Sequence, residues 1–173
     1  MSERIRYTSA RSSLGEVLIA TSDCGLVAFE FIDQLAPAID ALRHRFPEAT
    51  VEEDAAGLTT SRDALLGLLD RPACDPGLAL DPRGSARQRR VWDALRAIPA
   101  GQTASYGEIA ARLGMPWDAR EVADACAANM LAILIPCHRV VKKDGTLSGY
   151  RWGVRRKRTL LMREQQANAF TLA

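Results

Sequence analysis

Pro136-Cys137-His138-Arg139-Val140 sets a thiol next to an imidazole. A thiol is a strong nucleophile only as the thiolate, and an adjacent imidazole can take its proton. If His138 does so, Cys137 is expected to have a depressed pKa. The run before it, Leu131-Ala132-Ile133-Leu134-Ile135, is wholly apolar and reads as a buried strand ended sharply by Pro136. That strand would hold Cys137 rigidly at the edge of the core. The dipeptide alone has two readings, a reactive thiol and a structural pair, and the structural pair is the commoner. Cys24, Cys74 and Cys126 are scattered, with no CxxC, and His44 is the only other histidine, so no metal site is expected. No glycine-rich nucleotide loop is present either, and no cofactor is expected.

These residues must be positioned by a chain of 173 residues, long enough for one sizeable domain or two small ones sharing an interface. No long apolar segment is available to cross a membrane, and Met1-Ser2-Glu3-Arg4 lacks the apolar core of a signal peptide. Four thiols without a secretory signal fit the reducing cytoplasm. The net charge of +2 conceals an asymmetry: residues 1–80 carry 7 Lys/Arg against 13 Asp/Glu, and residues 81–173 carry 16 against 8. A net of −6 joined to a net of +8 points to a polyanion bound on one side. Solvation of helix faces would explain any single basic cluster, but less readily an excess sustained over half a chain.

Strands are expected at 4–10, 16–21 and 26–31, the last two joined across Ser22-Asp23-Cys24-Gly25. A helix over 34–46 follows, stopped by Pro47, then a short strand near 49–52 and a helix over 61–69. Residues 71–77 are turn-rich and mark a boundary, so that 1–80 forms an α/β domain and 81–173 a mainly helical one. Ser85 caps a helix running to about Ile98, and 106–113 forms a short helix. After a turn at Gly114-Met115-Pro116-Trp117, Asp118 caps another helix to about Ala128. Two short helices around a tight turn form a helix-turn-helix. A hairpin is expected around Val140-Val141, with Asp144-Gly145 as its turn, and a last helix over 153–164. Helical periodicity gives Ala119, Val122, Ala123 and Cys126 an inward face, making Cys126 a core residue. It puts Arg120, Glu121, Asp124, Ala127 and Ala128 on the other side.

An ordered array accompanies the Cys-His pair: Val91-Trp92, Ile98-Pro99-Ala100-Gly101, Ser105-Tyr106-Gly107-Glu108-Ile109-Ala110, Arg120, Asn129, Val140-Val141, Asp144-Gly145, Ser148-Gly149-Tyr150-Arg151-Trp152-Gly153 and Leu160-Leu161-Met162-Arg163-Glu164. Through most of residues 81–164 this array resembles the methylated-DNA–protein-cysteine methyltransferases, which remove alkyl groups from the 6-oxygen of guanine in DNA. Residues 1–80 match only in outline. The resemblance implies a small ribonuclease H-like α/β domain followed by a winged helix-turn-helix. Cys137 would be the acceptor, with His138 as its base through a bridging water and Glu164 orienting the imidazole. Tyr106 would donate to the departing guanine, and Asn129, tolerant of a left-handed helix end, would brace the turn. Arg120 would fill the gap left by the flipped nucleotide; periodicity alone reads it as an exposed arginine paired with Asp124. Arg87, Ala119, Ala127 and Tyr106 would meet DNA in the minor groove. Val140, Ser148, Gly149, Tyr150, Arg151 and Trp152 would line the base pocket, with Trp152 narrowing it against bulky groups.

The implied activity is irreversible, one-for-one repair of 6-O-alkylguanine, and of 4-O-methylthymine, by a cytoplasmic monomer acting on double-stranded DNA. Glu121 and Asp124 depart from the family pattern, because carboxylates facing phosphates weaken binding. Ala86 departs too, standing where an aromatic is common, although Arg87, Arg89 and Arg90 add charge. Two further readings stay open: an alkylation-responsive DNA-binding regulator, and a thiol acceptor for a non-duplex substrate.

Overall fold

The computed structural model describes residues 2–147 and 149–171, with side chains described as far as 168. Strands β1 (Arg4–Ser12), β2 (Gly15–Thr21) and β3 (Leu26–Phe31) form an antiparallel meander. Helix α1 (Leu35–Arg45) then returns the chain so that β4 (Thr50–Glu53) lies parallel to β1. The mixed sheet runs β3-β2-β1-β4, leaving β3 at an edge.

Alternation along the strands sends side chains to two cores. Leu18 and Ala20 face Leu42 and Phe46 around α1. Val17 and Ile19 face Leu65, Leu68 and Leu69 of helix α2 (Thr59–Asp70) and, in the same cluster, Val91, Trp92 and Leu95 of helix α3 (Ala86–Arg96). The larger core therefore runs through both halves of the chain without a break.

After α3 come strand β5 (Ala104–Ser105), helices α4 (Tyr106–Leu113) and α5 (Ala119–Ala127), a 3₁₀ turn (Cys137–Arg139), strand β6 (Val140–Val141) and helix α6 (Val154–Thr171). Capping boxes start three helices: Ser85 with Gln88, Ser105 with Glu108, and Asp118 with Glu121. Each satisfies two otherwise unpaired amides at a helix start, so these boundaries are written locally. Gly114 ends α4 at φ +81°, a conformation that a side chain would strain. Trp92 Nε1 donates to the Ala125 carbonyl at 2.8 Å and ties α3 to α5.

Three local expectations are corrected. Residues 131–135 form no strand: Leu131 makes a single bridge to Phe29, and Ile133 turns the chain at φ +69°. Apolarity correctly marked the run as buried, but side-chain bonds to its backbone fold it into a compact turn. The expected hairpin at 140–145 is likewise absent among the described residues. Lys142 N–H does bond the Thr146 carbonyl at 3.0 Å, yet β6 pairs with β5, in parallel. Finally, the last helix continues seven residues beyond Glu164, to Thr171.

Candidate active site

The apolar turn preceding Cys137 is held from inside by Asn129, which is fully buried. Its Oδ1 accepts from Leu131 N–H at 2.9 Å, and its Nδ2 donates to the Ile135 carbonyl at 2.9 Å and the Leu131 carbonyl at 3.4 Å. The same Nδ2 lies 3.3 Å from Cys137 Sγ. Asn129 braces this segment with its side chain; it is not among the residues at positive φ, so no left-handed backbone is involved.

Cys137 is buried and opens the 3₁₀ turn rather than ending a strand. Burial pushes its pKa up, more than the Asn129 bond and the Lys157 charge pull it down. The resting group is therefore a thiol, opposite to the expected thiolate. His138 is also fully buried, and burial lowers its pKa despite Glu164, so the ring is neutral. Its Nε2 lies 2.7 Å from Glu164 Oε1. An ionised carboxylate only accepts, which assigns the ring proton to Nε2 and leaves Nδ1 as the basic nitrogen. Nδ1 is buried without a hydrogen-bond partner among the described residues.

Glu164 is fully buried, and burial pushes its carboxyl upward; bonds from His138 and Arg139 outweigh that and hold it below the usual carboxylate value. Arg139 supplies Nε at 3.0 and 3.1 Å and a terminal nitrogen at 2.8 Å. A second Arg139 nitrogen donates to the Ile98 carbonyl at 2.7 Å, and Gly101 N–H donates to Glu164 Oε2 at 3.2 Å. Gly101 must be glycine: φ is +83°, and an added Cβ would strike Asn168. The Ile98–Gly101 segment thus reads out as a backbone cradle for the Arg139–Glu164 pair.

Arg139 and Lys157 were missed from the sequence. Lys157 is fully buried, its Nζ donating to the Val140 carbonyl at 2.6 Å and reaching the Gly149 carbonyl at 3.5 Å. A usable signal existed, because Lys157, Leu160 and Glu164 share one helical stripe at i, i+3 and i+7, the buried seam of α6. The density of basic residues in α6 masked it.

The register of β5 with β6, Ala104 opposite Val140 and Ser105 opposite Val141, carries Tyr106 to the acceptor segment at the start of α4. Tyr150 and Trp152 pack edge to face at 5.3 Å, with the Tyr150 hydroxyl buried and Trp152 largely covered. Ser148 lies outside the described residues, and Gly149 is exposed.

On α5, Arg120, Ala127 and Ala119 are exposed. The inward placement of Ala119 is thus corrected: the buried seam is Val122 and Ala125, and the first turn projects past the core edge. Cys126 is half-buried against the core, and burial raises its pKa. Glu121 does not simply face outward. It accepts from Asp118 N–H at 3.2 Å in the capping box and forms an ion pair with Arg87. Arg87 in turn lies over the Trp117 ring, 4.1 Å from its centroid.

A mixed sheet packed on a helical half, with a buried cysteine followed by a histidine bonded to a buried glutamate, defines a class of protein built around a buried thiol. Residues 86–166 match the family profile described as 6-O-methylguanine DNA methyltransferase, DNA binding domain. The chain is 36% identical to the methylated-DNA--protein-cysteine methyltransferase of Mycolicibacterium paratuberculosis, over 97% of each chain. It is 47% identical to the bifunctional transcriptional activator/DNA repair enzyme Ada of Escherichia coli, over 94% of this chain but 46% of that protein, so it spans about half the length of that relative. The structure of Mycobacterium tuberculosis OGT in complex with DNA superposes with a TM-score of 0.75 at 34% identity, covering 94% of this chain and 93% of the other. The chain belongs to the methylated-DNA–protein-cysteine methyltransferase family. Among the described residues, no helix is long and apolar enough to cross a membrane.

Proposed function

We propose that this chain repairs DNA by moving the alkyl group from the 6-oxygen of guanine, and from 4-O-methylthymine, onto Cys137. The buried His138–Glu164 pair beside the acceptor turn carries this reading. Because burial keeps Cys137 protonated at rest, its proton leaves as the reaction proceeds, to Nδ1 of His138 through a bridging water. The sulfur–carbon bond forms as the carbon–oxygen bond breaks. Tyr106 donates its phenolic proton to the ring of the departing guanine, and the proton held on His138 returns through water to the tyrosinate, so that thiol and alkylguanine become thioether and guanine. Glu164 orients the imidazole; its charge is shared with Arg139, so orientation is its main part. A thioether is stable, and each protein molecule acts once.

The DNA partner is a duplex approached through its minor groove by α4 and α5, read as a winged helix-turn-helix spanning 81–173. Residues 1–80 act as a ribonuclease H-like supporting domain. Arg120, exposed near the start of α5, fills the stack when the nucleotide is flipped, while Ala119 and Ala127 allow close backbone approach. Arg87 and Tyr106 contact the strand. Val140, Ser148, Gly149, Tyr150, Arg151 and Trp152 bound the base. The protein works as a monomer in the cytoplasm.

Intact-protein mass spectrometry after incubation with duplex DNA carrying 6-O-methylguanine tests this. One added methyl mapped to Cys137, absent in Cys137→Ser, is expected; turnover past one equivalent would refute it. The regulatory reading gains from the likeness to Ada, which is named as a transcriptional activator. It requires Cys137-methylated protein to bind a specific DNA sequence more tightly than the unmodified protein.

A further inference from the structure

The acidic half contributes an edge strand to the turn that carries Cys137. Phe29 N–H of β3 donates to the Met130 carbonyl at 2.8 Å, and Ala132 N–H donates to the Phe29 carbonyl at 2.9 Å, so β3 docks directly on the turn that precedes Cys137. The next two residues of β3 grip the segment at Arg151-Trp152. Glu30 and Phe31 point to opposite faces of the strand, as neighbours in a strand must. Arg151 and Trp152 straddle it: Arg151 pairs with Glu30 at 2.8 Å, and the Trp152 ring meets Phe31 edge on at 6.3 Å. A second Arg151 nitrogen donates to the Ala127 carbonyl at 3.0 Å, at the end of α5. Its guanidinium also lies 5.5 Å from the Trp152 ring centroid. Arg45 holds Glu30 from the other side at 3.1 Å.

We propose that the Glu30–Arg151 bridge is a strap that fixes Trp152 across the pocket mouth, making Arg151 and Glu30 positioning residues that set the size of alkyl group accepted. The proposal rests on the alkyl-transfer reading. Arginine suits the task because its planar fork can serve a carboxylate and a carbonyl together, joining strand, loop and α5; lysine offers one ammonium point and can hold only one of them well. Without the strap Trp152 keeps its aromatic packing but loses the cation over its face and the tether of its neighbour. The loop then moves outward and the entrance widens.

The test compares the full-length protein with Glu30→Gln, Arg151→Ala and Arg151→Lys, using free 6-O-methylguanine and 6-O-benzylguanine. For each, the half-saturating concentration and the limiting rate of Cys137 alkylation are followed by mass spectrometry. Glu30→Gln and Arg151→Ala are expected to raise the benzyl-to-methyl ratio of limiting rates by about fivefold, the upper range for a partly exposed pair, with Arg151→Lys between them and wild type. Glu30→Gln is isosteric, so it tests the idea even if Arg151→Ala folds poorly. An unchanged ratio overturns the strap, as does an equal loss on both substrates that tracks a lower Tm. Failure of wild type to take methyl from duplex DNA would instead refute the alkyl-transfer reading, which separates the two.

Discussion

At the scale of single residues, the site is a set of buried polar groups that, His138 Nδ1 and the Tyr150 hydroxyl apart, satisfy one another. Asn129→Ala would leave the Leu131 N–H without a partner and take one of two donors from each of the Leu131 and Ile135 carbonyls, and a stranded buried amide costs about 1–3 kcal/mol. Denaturant unfolding should show a loss of at least that size, along with slower alkylation. Glu164→Gln should cost more, about 3–5 kcal/mol, because it strands the Arg139 guanidinium in a dry site. The pH response follows from the two depressed values. Unfolded His138 takes up a proton below about pH 6.5, but the folded ring resists it, so stability should decline as pH falls through that range. Below about pH 4.5 Glu164 adds to the decline, because the unfolded carboxyl protonates before the folded one. Thermal melts from pH 8 to pH 4 should show Tm falling from about pH 6.5 downward, and His138→Gln should remove the upper part of that fall.

Among the elements, α5 depends on a carboxylate that at first reads as a hindrance to DNA. Glu121 completes the capping box and pairs with Arg87, whereas Asp124 is simply exposed. The two should therefore behave differently. Asp124→Ala should leave Tm unchanged and tighten duplex binding slightly, more at low salt. Glu121→Ala should cost about 1 kcal/mol of stability through the cap, yet steepen the salt dependence of binding, because Arg87 is released toward phosphate. Salt titrations of the two single variants measure this directly; identical slopes would mean that Arg87 stays on Trp117.

For the whole molecule, the continuous core predicts that the acidic and basic halves unfold as one cooperative unit. The three tryptophans lie at 92, 117 and 152, in the basic half, while the four-stranded sheet lies in the acidic one. Tryptophan fluorescence and far-UV circular dichroism should therefore follow a single coincident unfolding transition. Phe29→Ala, at the β3 docking edge, should lower both midpoints together by about 3–5 kcal/mol of stability.

The amino-acid order alone determined what is local. Capping boxes at Ser85, Ser105 and Asp118, alternation in the first three strands, and the Cys137-His138 pair are all written within a few residues of where they act. Even the charge division between halves needs no folding to be read. What only the tertiary structure decided lies in contacts between distant parts. The apolar run at 131–135 looks like a strand because periodicity cannot tell a buried strand from a buried turn; Asn129 makes it a turn by taking up its backbone groups. Val140-Val141 looks like half a hairpin, yet its partner is β5, far back in the chain. Lys157 looks solvated until α6 turns it inward, and Glu30 has no visible link to Arg151, 121 positions away. Burial likewise reversed the expected state of Cys137, since desolvation depends on every element packed around the sulfur and on no residue beside it in the chain.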